Sequence, residues 1–208
     1  MSAILPYETP EEREAAAARV KEHLEADGIV AYPTETVYGL GCALRDAALS
    51  SLAGFKGTRP FLVLVPDAAA VPGLEWTMAA LRLAERFWPG PLTLALPARE
   101  GAFPPQVVGP QGTVAVRVSS HPAVADLLRA AGGPVTSTSA NRPGEPPART
   151  ATDAARTAAA VDRLLVLDGG TLPPGVPSTI VRCAGGPVRI LREGVIDREA
   201  IQAVVEVA

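Results

Sequence analysis

Hydroxyls and arginines, not acid–base pairs, are the reactive groups this chain gathers at recognisable positions. The run Tyr32-Pro33-Thr34-Glu35-Thr36-Val37-Tyr38-Gly39-Leu40-Gly41 follows the apolar stretch Gly28-Ile29-Val30-Ala31, which reads as a strand entering a ligand-binding loop. The segments Thr136-Ser137-Thr138-Ser139-Ala140-Asn141 and Pro177-Ser178-Thr179-Ile180-Val181 carry the same chemistry. So do the arginine-bearing strands Thr113-Val114-Ala115-Val116-Arg117-Val118 and Val188-Arg189-Ile190-Leu191-Arg192. Ser and Thr hydroxyls, loop N–H groups and guanidinium forks are the donors that carboxylates and phosphates need. Thr113 and Arg117 share the parity of one strand, so both side chains belong to one face. Arginines on apolar strands are costly to bury alone, so each requires a bound anion or a structural carboxylate.

The chain has two histidines and two cysteines, and neither pair is close enough in sequence to suggest a metal site or a nucleophile with its base. Catalysis would then rest on positioning and charge stabilisation, the pattern of phosphoryl and nucleotidyl transfer. His121 reads as a residue of a helix start and His23 as one of a solvated helix face. Cys42 and Cys183 read as small buried hydrophobes, and Trp76 and Trp88 as packing residues.

These groups need a scaffold of alternating helices and strands. Thr9-Pro10-Glu11-Glu12 opens a helix with a capping residue, a proline in the first turn and acids at the positive end of the dipole; Asp27-Gly28 ends it. The first 25 residues as a whole read as acidic and helical. A strand over 29–32, a helix near 46–55, a strand over 61–65 and a helix from 78 to 87 follow. Trp88-Pro89-Gly90-Pro91 is a turn feeding the strand 92–96, and after the Arg117 strand Ser119-Ser120-His121-Pro122 starts a helix that Gly132-Gly133 stops. Next come a helix over 151–160, a strand over 164–168, the Gly/Pro-rich loop 169–177, two strands around Ile180 and Ile190, and a helix over 197–206. The expected class is α/β (α+β), a twisted mixed β-sheet wrapped by helices.

A length of 208 residues with 48% hydrophobic and 20% charged content fits a single domain, with its core over about 9–196. A net charge of −3 argues against broad non-specific nucleic-acid binding. No apolar run reaches the roughly 18 residues that span a bilayer. The amino-terminal stretch lacks the order of a secretion signal, so a cytoplasmic location is expected.

Four ordered motifs, PTETVYGLG, WPGPLT, TSAN with its Pro/Gly stretch, and STIV followed by ILREG, resemble the threonylcarbamoyl-AMP synthase family with its YrdC-type domain. The resemblance covers nearly the whole chain. It implies a large, positively lined concave cavity and an enzyme that joins L-threonine, bicarbonate or carbon dioxide, and ATP into threonylcarbamoyl-adenylate and pyrophosphate. It implies magnesium accompanying the ATP, possible RNA or tRNA contact, and downstream proteins that transfer the threonylcarbamoyl group to tRNA. By the same resemblance Thr36, Arg117 and Ser178 hold threonine, and Thr113, Ser137, Ser139 and Arg192 contact ATP. Asn141 supports the Ser139 loop, and Lys56 and Arg59 lie near the phosphates; no metal-ligating residue is implied.

Three departures from the family pattern stand out. The run Lys56-Gly57-Thr58-Arg59-Pro60 is a few residues short, so Arg59 substitutes from a shifted position only if the alignment follows Lys56. Leu64 stands where a histidine near the threonine is common, and Pro146-Pro147 where a serine is common. Two other functions fit the same residues. A non-catalytic, double-stranded-RNA-binding or ribosome-maturation factor would show steeply salt-dependent RNA affinity without threonine-dependent ATP turnover. A carbamoyl-transfer domain of the hydrogenase-maturation kind would come with zinc-finger-like and acylphosphatase-like modules, which this sequence lacks.

Overall fold

The computed structural model describes residues 3–68 and 71–208. Strands β1 (Ala3–Pro6), β2 (Ile29–Tyr32), β3 (Gly39–Gly41), β4 (Leu62–Leu64), β5 (Leu92–Pro97), β6 (Val108–Gly109), β7 (Thr113–Arg117), β8 (Val135–Ser139), β9 (Leu164–Asp168), β10 (Thr179–Arg182) and β11 (Arg189–Arg192) form one mixed sheet among the described residues. Its order is β1-β9-β2-β3-β8-β4-β7-β5-β10-β11, with β6 added beside β7. The helices are α1 (Pro10–Glu25), α2 (Asp46–Lys56), α3 (Met78–Phe87), α4 (Pro122–Ala131), α5 (Ala151–Thr157) and α6 (Arg198–Gln202).

Alternation along the strands decides which face is core. Leu92, Leu94 and Leu96 of β5 and Val114 and Val116 of β7 point into the main apolar cluster, with residues of α2, α3, α5 and α6. The intervening positions, Thr93 and Ala95 on β5 and Thr113, Ala115 and Arg117 on β7, are small or polar and lie on the opposite face. That face is covered at one side by α1 and α4, whose Val20, Leu24, Val124 and Leu127 pack with Tyr32, Leu64 and Val135 in a second cluster. The chemistry-bearing positions thus occupy the part of the sheet that apolar packing does not claim.

Local signals set the helix ends. Thr9 and Glu12 form the reciprocal capping box of α1, and His121 caps α4 by accepting the Ala123 N–H on Nδ1 at 3.2 Å. Gly132 closes α4 in the left-handed conformation, φ 68°. Five details differ from the sequence reading. Ala3–Pro6 is a parallel edge strand on β9 and not helical; a strand of four residues, with Leu5 packed inward and Ile4 exposed, is too short to leave a periodic trace. Gly39–Gly41 is also a strand, because Gly41 lets β3 lie against β8: a Cβ there would sit 1.8 Å from the Thr136 carbonyl. Helix α5 stops at Thr157, and α6 at Gln202, after which Val207 bridges to Val188. His23 is half-buried and not solvated, its Nε2 lying 3.0 Å from the Ile29 carbonyl oxygen and its ring over Gly28.

Candidate active site

The Trp88–Pro91 turn is locked to the start of the site. Gly90 donates its N–H to Val118 and accepts Arg117 Nε at 3.1 Å through its carbonyl, which fixes one side of the guanidinium. Arg117 is 4% exposed at the end of β7 and pairs in register with Leu64 of β4. On the other side its Nη2 lies 2.7 Å from Glu35 Oε1. Glu35 is thus the charge partner of this buried nitrogen.

Glu35 comes from the loop between β2 and β3. Its Oε2 accepts the Ser119 hydroxyl at 2.5 Å and its Oε1 the Ser120 N–H at 3.0 Å. Burial pushes its carboxyl upward, but the Arg117 charge and the two hydrogen bonds outweigh it and hold it below the ordinary range. Thr34 organises the same loop: its hydroxyl accepts the N–H groups of Thr36 and Val37 at 3.1 Å each and donates to the Val37 carbonyl at 2.6 Å. Thr36 Oγ1 lies 3.0 Å from Thr34 Oγ1.

A second guanidinium stands near the first. Arg192 of β11 donates from Nε and Nη2 to the Ser178 carbonyl at 3.1 and 2.8 Å, and from Nη2 to the Ser178 hydroxyl at 3.1 Å. Ser178 Oγ in turn lies 2.9 Å from Thr93 Oγ1. Burial and the positive charge of Arg117 both pull Arg192 below the ordinary arginine value, a sign that the two cations repel. Gly194 allows this corner to close, since a Cβ there would sit 2.1 Å from the Pro177 carbonyl oxygen. Thr179 secures it, accepting the N–H groups of Gly194 and Ile196 at 3.0 Å each.

The third group surrounds Lys56, whose ammonium donates to the Ser139 carbonyl at 3.0 Å, the Asn141 carbonyl at 2.9 Å and Asn141 Oδ1 at 2.8 Å. Ser139 Oγ donates to the same Oδ1 at 2.6 Å, so Asn141 ties the lysine to the serine loop. Burial lowers Lys56 to about 8. Thr113, at the far end of β7 from Arg117, donates to the Pro110 carbonyl at 3.2 Å. The four steps from Thr113 to Arg117 span roughly 13 Å of strand.

Thus Arg117, Ser178 and Arg192 form one corner, which Thr36 approaches through the loop carrying Glu35. Lys56, Ser139 and Asn141 form another, and Thr113 and Ser137 are buried on their strands. Arg192, expected on the nucleotide, is bonded to Ser178, expected on threonine. Arg59 is exposed on the connection after α2. Leu64 is 1% exposed among apolar side chains, so that position contributes packing. Pro146 and Pro147 lie in the irregular segment before α5. Sequence reasoning did not single out Glu35, Thr34, Thr93 or Ser119. Glu35 left one signal: an acid between two threonines in a loop otherwise expected to grip anions. A cleft of about 580 Å³, lined in part by Val65, Val118, Ser119, Leu128 and Arg129, borders this site through Ser119. No group of three or more His, Cys, Asp or Glu suited to a metal ion occurs among the described residues.

Comparison with known proteins gives the geometry its context. The threonylcarbamoyl-AMP synthase of Bacillus subtilis is 37% identical over 198 residues, covering 91% of this chain and 55% of that protein. The chain thus spans about half of that relative. The synthase of Thiobacillus denitrificans is 38% identical over 186 residues, covering 86% of this chain and 97% of its own length. Pyrococcus abyssi Sua5 complexed with L-threonine matches with a TM-score of 0.84 at 32% identity, over 100% of this chain and 62% of that one. E. coli YciO, at 23% identity and TM-score 0.83, shares the fold over 97% of this chain and 100% of its own. The family model for Sua5, YciO and YrdC proteins, described as telomere recombination, matches residues 22–194. Because that match extends from before β2 to beyond β11 and takes in both guanidiniums and every loop that meets them, the chain belongs to the Sua5/YciO/YrdC family.

Proposed function

We propose that this chain is an L-threonylcarbamoyladenylate synthase, an enzyme that joins L-threonine, bicarbonate or carbon dioxide, and ATP into threonylcarbamoyl-AMP with release of pyrophosphate. The observation that carries the reading is the pair of Arg117, buried, and Arg192, exposed at the rim of the same corner, two cations that feel each other's charge while a single carboxylate, Glu35, pairs with Arg117. Such a corner is short of negative charge, and a substrate carboxylate supplies it. The names of the relatives and the threonine complex of Sua5 support the same choice over an RNA-binding factor without catalysis.

In this reading Arg117 and Ser178 hold the threonine carboxylate, and Arg192 faces both substrates from its place on Ser178. Thr34 is saturated by the two N–H groups it accepts and the Val37 carbonyl it donates to, so the Thr36 hydroxyl beside it is left to meet the substrate amine. The amine nitrogen attacks the carbon of bicarbonate or carbon dioxide to give a carbamate; the bicarbonate route also releases water. A carbamate oxygen then attacks the α-phosphorus and the bond to pyrophosphate breaks. Thr113, Ser137 and Ser139 bind the nucleotide, with Lys56 held ready by Asn141 and Arg59 swinging in from its exposed turn when the phosphates arrive. Magnesium would be carried by the triphosphate and neutralise its charge, in keeping with a site whose described residues are hydroxyls and cations without a cluster of acids suited to a metal. The adenylate passes on to proteins that transfer the threonylcarbamoyl group to tRNA.

Pyrophosphate release from MgATP, with L-threonine and bicarbonate each supplied or omitted, tests the proposal. Release that needs both supports it; release indifferent to threonine, or none from folded protein, rejects it.

A further inference from the structure

The loop that brings Thr36 to the corner also brings a carboxylate, and that carboxylate is fully engaged. Glu35 Oε2 is taken by the Ser119 hydroxyl, and Oε1 by the Ser120 N–H and the Arg117 guanidinium. Both of its anchors other than Arg117 come from the connection that follows β7, the strand bearing Arg117 itself. Arg117 is therefore held from two directions: Nε by the Gly90 carbonyl, and Nη2 by the charge of Glu35 at 2.7 Å. Nη2 is buried against Glu35, so the guanidinium is already placed before an incoming acceptor arrives.

We infer that Glu35 is a positioning residue for threonine recognition: it fixes the Arg117 guanidinium at the angle that meets the substrate carboxylate, and ties it to the loop that carries Thr36. The inference rests on the proposed function. Two alternative roles make different predictions. A carboxylate that competed with substrate for Arg117 would weaken threonine binding in the native chain, and its removal would tighten it. A carboxylate that served only the loop's stability would affect melting and both substrates together. The three simultaneous contacts on Glu35 argue against the first, because competition requires the carboxylate to leave Arg117 while Ser119 and Ser120 hold it in place.

Titration calorimetry separates these cases on the whole protein, with L-threonine and, in a separate cell, MgATP as the probes. Glu35→Gln keeps the shape and can still accept from Ser120 N–H while its amide donates to the Ser119 hydroxyl, but it removes the charge on Arg117. The expected result is threonine affinity weakened roughly tenfold or more, with MgATP affinity changed less than about twofold. Glu35→Asp, which keeps the charge but shortens the reach, is expected to fall between. Thermal melting of each variant accompanies the titrations. Unchanged or tighter threonine binding by Glu35→Gln overturns the inference and leaves the proposed function standing. Equal losses for both ligands, tracking a fall in melting temperature, overturn it in favour of a structural role. Failure of the native protein to bind threonine overturns the proposed function, and this inference with it.

Discussion

Replacing Arg117 with alanine should damage stability as well as recognition, and the reason lies in the carboxylate it leaves behind. The side chains of the pair are 5% and 17% exposed, so Glu35 would remain largely buried with only the Ser119 hydroxyl and the Ser120 N–H as partners. Breaking a buried pair by removing one member costs about 3–5 kcal/mol, and the two surviving hydrogen bonds place this case near the lower end, about 3 kcal/mol. For a chain of this length that is a drop in melting temperature of about 6–12 °C. The loss depends on pH with a definite sign. In the native protein Glu35 is held below the ordinary carboxylate value of 4.5, so its contribution is present above the unfolded-state pKa and lost as pH falls through the folded one. In Arg117→Ala burial acts without the opposing guanidinium, the folded state takes up a proton first, and the gap from the native protein narrows as pH falls toward 4.5. Urea unfolding of Arg117→Ala, Glu35→Gln and the double variant across that range measures it, and the double variant should recover at least about 1 kcal/mol at neutral pH. A loss below about 1 kcal/mol that does not vary with pH would mean that the pair behaves as an exposed one, and would refute the reasoning.

Other consequences follow from the same geometry. Lys56, lowered by burial to about 8, should lose its charge as pH rises through that value, so MgATP binding should weaken above pH 8 in the native protein; Lys56→Arg should abolish the pH dependence, and Lys56→Met should bind weakly at every pH. The folded lysine releases its proton before the unfolded one, so denaturation across the same pH range should show that its burial penalty is largest below pH 8 and fades above it. Gly194→Ala should displace the Ser178 corner, since the new Cβ would meet the Pro177 carbonyl oxygen at 2.1 Å; a large rise in the threonine KM is expected by steady-state kinetics. Thr179→Val should cost about 2–4 kcal/mol by chemical denaturation, because it leaves the N–H groups of Gly194 and Ile196 without their acceptor.

Periodicity and end signals made most helices and the long apolar strands readable: Thr9, Gly132 and the Leu92–Leu96 alternation each carry a local physical cause. Strands β1 and β3 were not readable, because four residues at an edge are too few to show a period and Gly39 and Gly41 carry no side chains. The hydroxyl and arginine positions could be found from residue type alone. How they meet could not, since Arg192 reaches Ser178 through strand pairing across β10 and β11 and Lys56, at the end of α2, reaches Asn141 in the loop after β8. Glu35 shows the difference most clearly: its composition signal was weak, and its partners Arg117, Ser119 and Ser120 lie more than eighty residues away in sequence.

The central claim is that one site brings an amino acid and a nucleotide together through a one-carbon unit. Mass spectrometry of the products formed from carbon-13 bicarbonate, L-threonine and MgATP tests it directly. The account predicts an adenylate that contains both threonine and the labelled carbon, formed with one pyrophosphate. AMP and pyrophosphate appearing without that conjugate, or a conjugate lacking the label, would contradict it.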